Sequence, residues 1–103
     1  METLRFSFDG GKRPLDGARL VGVVGSGNLE VLIEHRQLGG ACNIDITTAA
    51  HGFGAIWEAV MRDFHGRWQL ADAAIAINDM GATPAVVSLR LDQAVEAILG
   101  GAP

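Results

Sequence analysis

Ser26 stands between two glycines in the run Val21-Gly22-Val23-Val24-Gly25-Ser26-Gly27-Asn28, and three chemistries could use a hydroxyl so placed. The first is a phosphate-binding loop. Its glycines would be spaced G-x-G-x-x-G, and a helix N-terminus would follow to receive the phosphate. Gly22, Gly25 and Gly27 have the reverse spacing, and the segment after them, Leu29 to Glu34, alternates with strand periodicity. No Lys-Ser/Thr pair follows, so a P-loop is excluded. The second is a nucleophilic serine. His35, His51 and His65 and many acids are available, but the hydrolase elbow G-x-S-x-G needs glycines two residues either side of the serine. Here they are immediate neighbours, and 103 residues would struggle to supply a triad, an oxyanion hole and an acyl pocket together. The third is a modification site. Gly25 and Gly27 would clear space around the hydroxyl for a modifying enzyme and permit positive φ in a turn. Strands on both sides would then hold a long attached group on a fixed base. The residue chemistry alone also leaves open a plain hairpin turn with no further role.

Other reactive side chains read as structural. Cys42 falls on the apolar side of an alternating segment and has no adjacent base, so it reads as a small core residue. His51 and His65 are too far apart to share the i, i+4 face of a helical metal site, and no acid or thiol completes a ligand set. His35, beside Arg36, reads as a solvated loop residue. Asp45, Asp72 and Asp79 read as solvated strand-edge or turn residues, and Arg62 and Arg67 as ordinary helix-end charge. Trp57 belongs to a core stripe. Trp68 reads as cover for the core edge, with a partner surface as the alternative.

The elements that must position Ser26 follow from periodicity. Thr3 to Phe8 alternates with Leu4, Phe6 and Phe8 on one side, and Gly10 to Pro14 breaks it. Ala18 to Val24 is nearly all apolar and predicts a strand covered on both faces. With Leu29 to Glu34, whose Leu29, Val31 and Ile33 face one way, it predicts a β-hairpin with Gly25-Ser26-Gly27-Asn28 as the turn and Ser26 at its tip. Cys42 to Thr48 is a further strand, with Cys42, Ile44 and Ile46 inward. Phe53, Ile56, Trp57, Val60, Met61 and Phe64 make one helical stripe, which Gly66 should end. Ala73 to Asn78 predicts a short strand. Thr83-Pro84 opens a second helix with a capping hydroxyl and a first-turn proline, and Val87, Leu91, Ala94, Val95 and Ile98 form its buried side before Gly100-Gly101. This order predicts an α+β domain, residues 1–103: a largely antiparallel sheet of about four to five strands with two helices packed on one face.

Composition narrows the function. With 49% hydrophobic and 19% charged residues the chain is globular rather than disordered. A net charge of −4 without any basic block argues against nucleic-acid binding. Cys42 is the only cysteine, so no intrachain disulfide can form. The N-terminus does not read as a signal peptide, and no apolar run approaches a membrane span. A cytoplasmic location is expected.

Two blocks, ARLVGVVGSGNLEVLIE from Ala18 to Glu34 and NDMGATPAVVSLRLDQ from Asn78 to Gln93, resemble the malonate decarboxylase acyl carrier (delta) subunit family, and the opening METLRFSF is similar too. The resemblance runs in order over nearly the whole chain. Asn28 stands where an Asp is expected and Met80 where an aromatic is common. Ordinary fatty-acid carriers differ: they are all-helical and place their serine in Asp-Ser-Leu, which is absent here.

The resemblance implies a non-catalytic carrier subunit of a multi-subunit decarboxylase. Ser26 would bear, through a phosphodiester, a group derived from 2'-(5''-triphosphoribosyl)-3'-dephospho-CoA, with Gly25 and Gly27 flanking the attachment turn. A prosthetic-group transferase would attach it. A malonate/acetyl carrier transferase subunit would exchange acetyl for malonyl on its thiol, and carboxyltransferase-like decarboxylase subunits would release CO₂. A citrate-lyase-type carrier and an unmodified scaffold subunit are the alternatives.

Overall fold

A computed structural model describes residues 1–15, 21–26 and 28–99, of which 21–26 are described by their backbone alone. Five strands, four of alternating pattern and one nearly all apolar, form one sheet. These are β1 (Glu2–Phe8), β3 (Val21–Ser26), β4 (Leu29–His35), β5 (Cys42–Thr48) and β7 (Ala73–Asp79), in the order β1-β5-β7-β4-β3. Three of the neighbouring pairs are antiparallel; β5 and β7 are parallel. The crossover a parallel pair requires contains α1 (Gly54–Trp68). The second helix, α2, spans Pro84–Leu99 and follows β7.

Both helices cover one face. Leu29, Val31 and Ile33 of β4, Cys42, Ile44 and Ile46 of β5, and Ile75 and Ile77 of β7 are buried beneath Trp57, Met61, Phe64 and Trp68 of α1 and Val87, Leu91, Ala94 and Val95 of α2. Leu4, Phe6 and Phe8 of β1 pack against this core from its edge. The opposite sheet face carries Arg5, Glu30, Asp45, Ala76 and Asn78, all exposed. Truncating one buried Leu or Phe to Ala here would cost roughly 2–5 kcal/mol, a large part of a small domain's stability. The α+β architecture expected from the pattern is therefore present, and it is not a four-helix carrier.

Two short segments escaped the periodic pattern because each is two residues long. β2 (Arg13–Pro14) and β6 (Leu70–Ala71) pair in parallel and lash the loop after β1 to the end of α1. Lys12 and Arg13 both donate their N–H to the Gln69 carbonyl at 2.9 Å. At Gly11 a Cβ would fall against the Leu70 carbonyl oxygen, so only glycine lets the two backbones meet.

Helix α1 does not end at Gly66. It continues to Trp68, with Gln69 in the left-handed conformation (φ 52°) donating its N–H to the His65 carbonyl at 2.7 Å. A glycine inside a helix costs about 1 kcal/mol, while burying a large apolar side chain returns roughly 1.5–3 kcal/mol. Trp68 is fully buried, so the packing term wins. Its Nε1 donates to Asp92 of α2 at 2.9 Å, and Arg67 Nη1 donates to both oxygens of the same carboxylate at 2.9 Å. Arg67 is thus a helix-to-helix tie rather than ordinary end charge; Arg62, paired with Glu58 one turn back, is the surface charge expected.

Candidate attachment site

Ser26 closes β3, the outermost strand of the sheet beyond β4. Its register partner is Leu29, and that of Gly25 is Glu30. Gly25 therefore belongs to the strand rather than to the turn, and positions 27 and 28 alone separate the paired residues. The expectation of a four-residue turn is corrected by this register: the hydrogen-bond ladder extends two residues further than the glycines suggested. Gly27, the Ser26 side chain and the strand start from Ala18 to Leu20 lie outside the described residues, as does the cover of the two faces of β3.

A single row crosses the sheet from this serine. Ser26 pairs with Leu29, Leu29 with Asp79, and Asp79 with Thr48. Leu29 is 2% exposed, so the base of the hairpin is anchored in the core. Asn28 is exposed, and its carbonyl accepts the Met80 N–H at 2.8 Å. The two blocks that stood far apart in the sequence thus meet at one end of the molecule, with Met80 itself 60% exposed beside the turn.

Asp79 organises this meeting and was misread in the sequence. Rather than being solvated it is 3% exposed. Its carboxylate accepts from Thr48 Oγ1 at 2.8 Å, from the Ala82 N–H at 2.8 Å and from the Gly81 N–H at 3.2 Å. Gly81, at φ 111°, takes a conformation that disfavours side chains, and so lets the chain double back over the carboxylate. The available signal was an Asp ending a strand with Gly two residues on, the pattern of an Asx-type turn. The second helix then opens as expected: Thr83 Oγ1 accepts the Val86 N–H at 3.3 Å, and the Val87 N–H bonds the Thr83 carbonyl at 3.0 Å.

Beside this loop a groove of about 280 Å³ lies between the first turns of α1 and α2. Phe53, Ile56 and Val60 line it from α1 and its N-cap, and Ala82, Pro84 and Val87 from α2 and the connection before it. Phe53 and Ile56 are 47% and 46% exposed. The apolar stripe read for the first helix is therefore buried only along Trp57, Met61 and Phe64, and its other edge faces this groove.

The remaining candidates are not gathered at the hairpin. Cys42 is fully buried, and burial pushes its thiol up to about 12, so it is no nucleophile. His65 stacks on Phe8 at 4.7 Å, and burial lowers its pKa. His51 is exposed; His35 is the last residue of β4 rather than a loop residue, and is half-buried. Asp45 is exposed and pairs with Arg5. Asp72, by contrast, is not solvated turn decoration: it accepts the Gly40 and Leu38 N–H groups at 2.9 and 3.0 Å, which lower its pKa. Among the described residues no group of three or more His, Cys, Asp or Glu could hold a metal. No helix among them is long and apolar enough to cross a membrane.

Comparison with known proteins adds three findings. The family model for the malonate decarboxylase delta subunit matches residues 17–98. The malonate decarboxylase acyl carrier proteins of Xanthomonas campestris pv. campestris (strain B100) and Burkholderia cepacia are 61% and 62% identical, covering 97% and 91% of this chain and 97% and 87% of theirs. A chain in the crystal structure of a Pseudomonas malonate decarboxylase hetero-tetramer in complex with malonate superposes with a TM-score of 0.79. It is 39% identical and is matched over 95% of this chain and 99% of its own. A serine-ended edge hairpin on an α+β sheet, a second block folded against it, and relatives matched almost end to end lead to one statement: this chain belongs to the malonate decarboxylase delta subunit (acyl carrier protein) family.

Proposed function

We propose that the chain is the acyl carrier subunit of a malonate decarboxylase, non-catalytic in itself, with Ser26 as the covalent attachment point of a phosphoribosyl-dephospho-CoA arm. The observation that carries this reading is the position of Ser26 at the end of the edge hairpin, in a chain matched to carrier relatives over nearly its whole length. The residues suit such a group. Ser26 would supply a hydroxyl oxygen for a phosphodiester, Gly25 adds no side chain beside it, and the neighbouring Asn28 is exposed. Leu29, buried at the foot of the hairpin, holds the base still while an arm moves. When bound, the group supplies a thiol that carries acetyl or malonyl as a thioester, a linkage that eases CO₂ loss by delocalising the charge left behind.

The chain's own contribution is positional. A tethered acyl group meets successive active sites at high effective concentration instead of diffusing away. The partners would be a prosthetic-group transferase, a malonate/acetyl carrier transferase subunit and carboxyltransferase-like decarboxylase subunits, and the hetero-tetramer of the Pseudomonas relative supports a multi-subunit setting. Membership of the malonate decarboxylase family favours this over a citrate-lyase-type carrier. A cytoplasmic site of action goes with it.

Intact-mass analysis of protein from a host that has the modifying enzymes tests the reading. A discrete adduct mapped to Ser26, absent in Ser26→Ala while the circular dichroism spectrum is retained, is the expected result. Unmodified mass in an active complex would overturn it in favour of a scaffold subunit.

A further inference from the structure

The groove between α1 and α2 has a size, a lining and a place that together select one occupant. It is apolar along Phe53, Ile56, Val60, Ala82, Pro84 and Val87, and among the described residues the only charged one lining it is Asp79. At about 280 Å³ it lies just below the roughly 300–1,000 Å³ of sites for drug-sized ligands. That volume takes a short acyl thioester. We propose that this groove holds the acetyl-thioester end of the arm on Ser26 and rejects the malonyl-thioester end. The proposal rests on the carrier reading above.

Reach comes from the strand register. Ser26 pairs with Leu29 and Leu29 with Asp79, so two strand spacings, about 10 Å, separate Ser26 from a residue that lines the groove. A pantetheine-based arm is longer than that. The Asn28–Met80 hydrogen bond keeps the hairpin end against the loop that forms one wall.

Selectivity comes from charge. An acetyl thioester brings a methyl group and a weakly polar linkage, which the apolar walls desolvate at little cost. A malonyl thioester ends in a carboxylate. Among the described residues no Lys or Arg lines the groove to pair with it, and burying an unpaired ion is strongly unfavourable. The Asp79 carboxylate, already committed to Thr48, Gly81 and Ala82, adds a like charge nearby. The acetyl arm is therefore parked and the malonyl arm released to the solvent, where a decarboxylating partner can take it.

The test uses holo-protein from a host with the modifying enzymes, carrying ¹³C-methyl Ile and Val, as the free thiol, the acetyl form or the malonyl form. The methyl signals of Ile56, Val60 and Val87 are expected to move in the acetyl form and to stay at their free-thiol positions in the malonyl form. Ile56→Asp, a change at a half-exposed site, is expected to abolish the movement and to speed hydroxylamine cleavage of the acetyl thioester on the order of tenfold, the ratio for a mostly occupied groove. Ile56→Lys is expected to let the malonyl form shift the Val87 methyls. Unmoved methyls in the acetyl form, or equal movement in the malonyl form, would overturn the groove proposal while a Ser26 adduct keeps the carrier reading. Absence of any adduct would remove both.

Discussion

Thr48 Oγ1 donates a hydrogen bond of 2.8 Å to Asp79 Oδ2, joining the last residues of the two parallel strands β5 and β7 inside the protein. Both residues are nearly free of solvent contact, at 0% and 3% exposure. The same carboxylate holds the turn into α2, and that turn holds the Asn28 carbonyl through Met80. A buried polar pair at one strand end is thus connected, bond by bond, to the serine hairpin.

Removing that carboxylate should show in stability and at the hairpin. Asp79→Ala strands the Thr48 hydroxyl and the Ala82 N–H, and a buried group without its partner costs about 1–3 kcal/mol. Thr48→Val deletes one donor to the carboxylate, which keeps its backbone partners, and also removes the acceptor of the part-buried Ala50 N–H at 3.1 Å, so about 1–2 kcal/mol is expected. Urea unfolding midpoints measure both, and attachment of the arm to Ser26 should slow in Asp79→Ala before it unfolds. An Asp79→Ala midpoint within experimental scatter of the native one would refute the role given to this carboxylate.

Asp72 should confer acid-sensitive stability. The Gly40 and Leu38 N–H groups lower its pKa in the folded protein, so the folded state binds its proton less readily than the unfolded chain does. The resulting stabilisation is complete above the ordinary carboxylate pKa of about 4 and is lost as pH falls through the lower folded value. Asp72 has φ 55°, a conformation Asn tolerates, so Asp72→Asn removes the charge with little backbone penalty. The variant should be less stable than the native protein at neutral pH, and the gap should close on acidification. A gap independent of pH from 7 to 2 would contradict it.

Cys42 should stay silent in thiol assays. It is fully buried, and burial pushes its thiol up to about 12, so little thiolate forms at neutral pH and no reagent reaches it. Apo-protein should show no fast reaction with a disulfide reagent until denaturant is added. Holo-protein in the thiol form should show a fast phase from the arm alone. A fast native-state reaction of apo-protein would mean that β5 opens readily.

Much of the architecture was legible because it depends on local alternation. Leu29, Val31 and Ile33 and then Cys42, Ile44 and Ile46 face the core as their period of two demands, and Thr83-Pro84 opens α2 where hydroxyl and proline stand. The two-residue strands β2 and β6 were invisible because two residues have no period. Gly66 was misread as a stop because a glycine's cost is local, whereas the gain from burying Trp68 against Asp92 comes from another helix.

The site divides in the same way. Ser26 between two glycines, followed by strand periodicity, was enough to exclude a phosphate loop and to count against the hydrolase elbow, since those need particular residues at particular spacings, but it left a plain hairpin turn open; the matching blocks, not the residue chemistry, singled out the hydroxyl. Which distant residues stand beside it was decided by tertiary structure alone. Register across four strands puts Ser26, Leu29, Asp79 and Thr48 in one row, and helix packing leaves Phe53 and Ile56 open over a groove. Hydrogen-bond register and the fit of helix on sheet are properties of pairs far apart in the chain, and no window of neighbouring residues contains them.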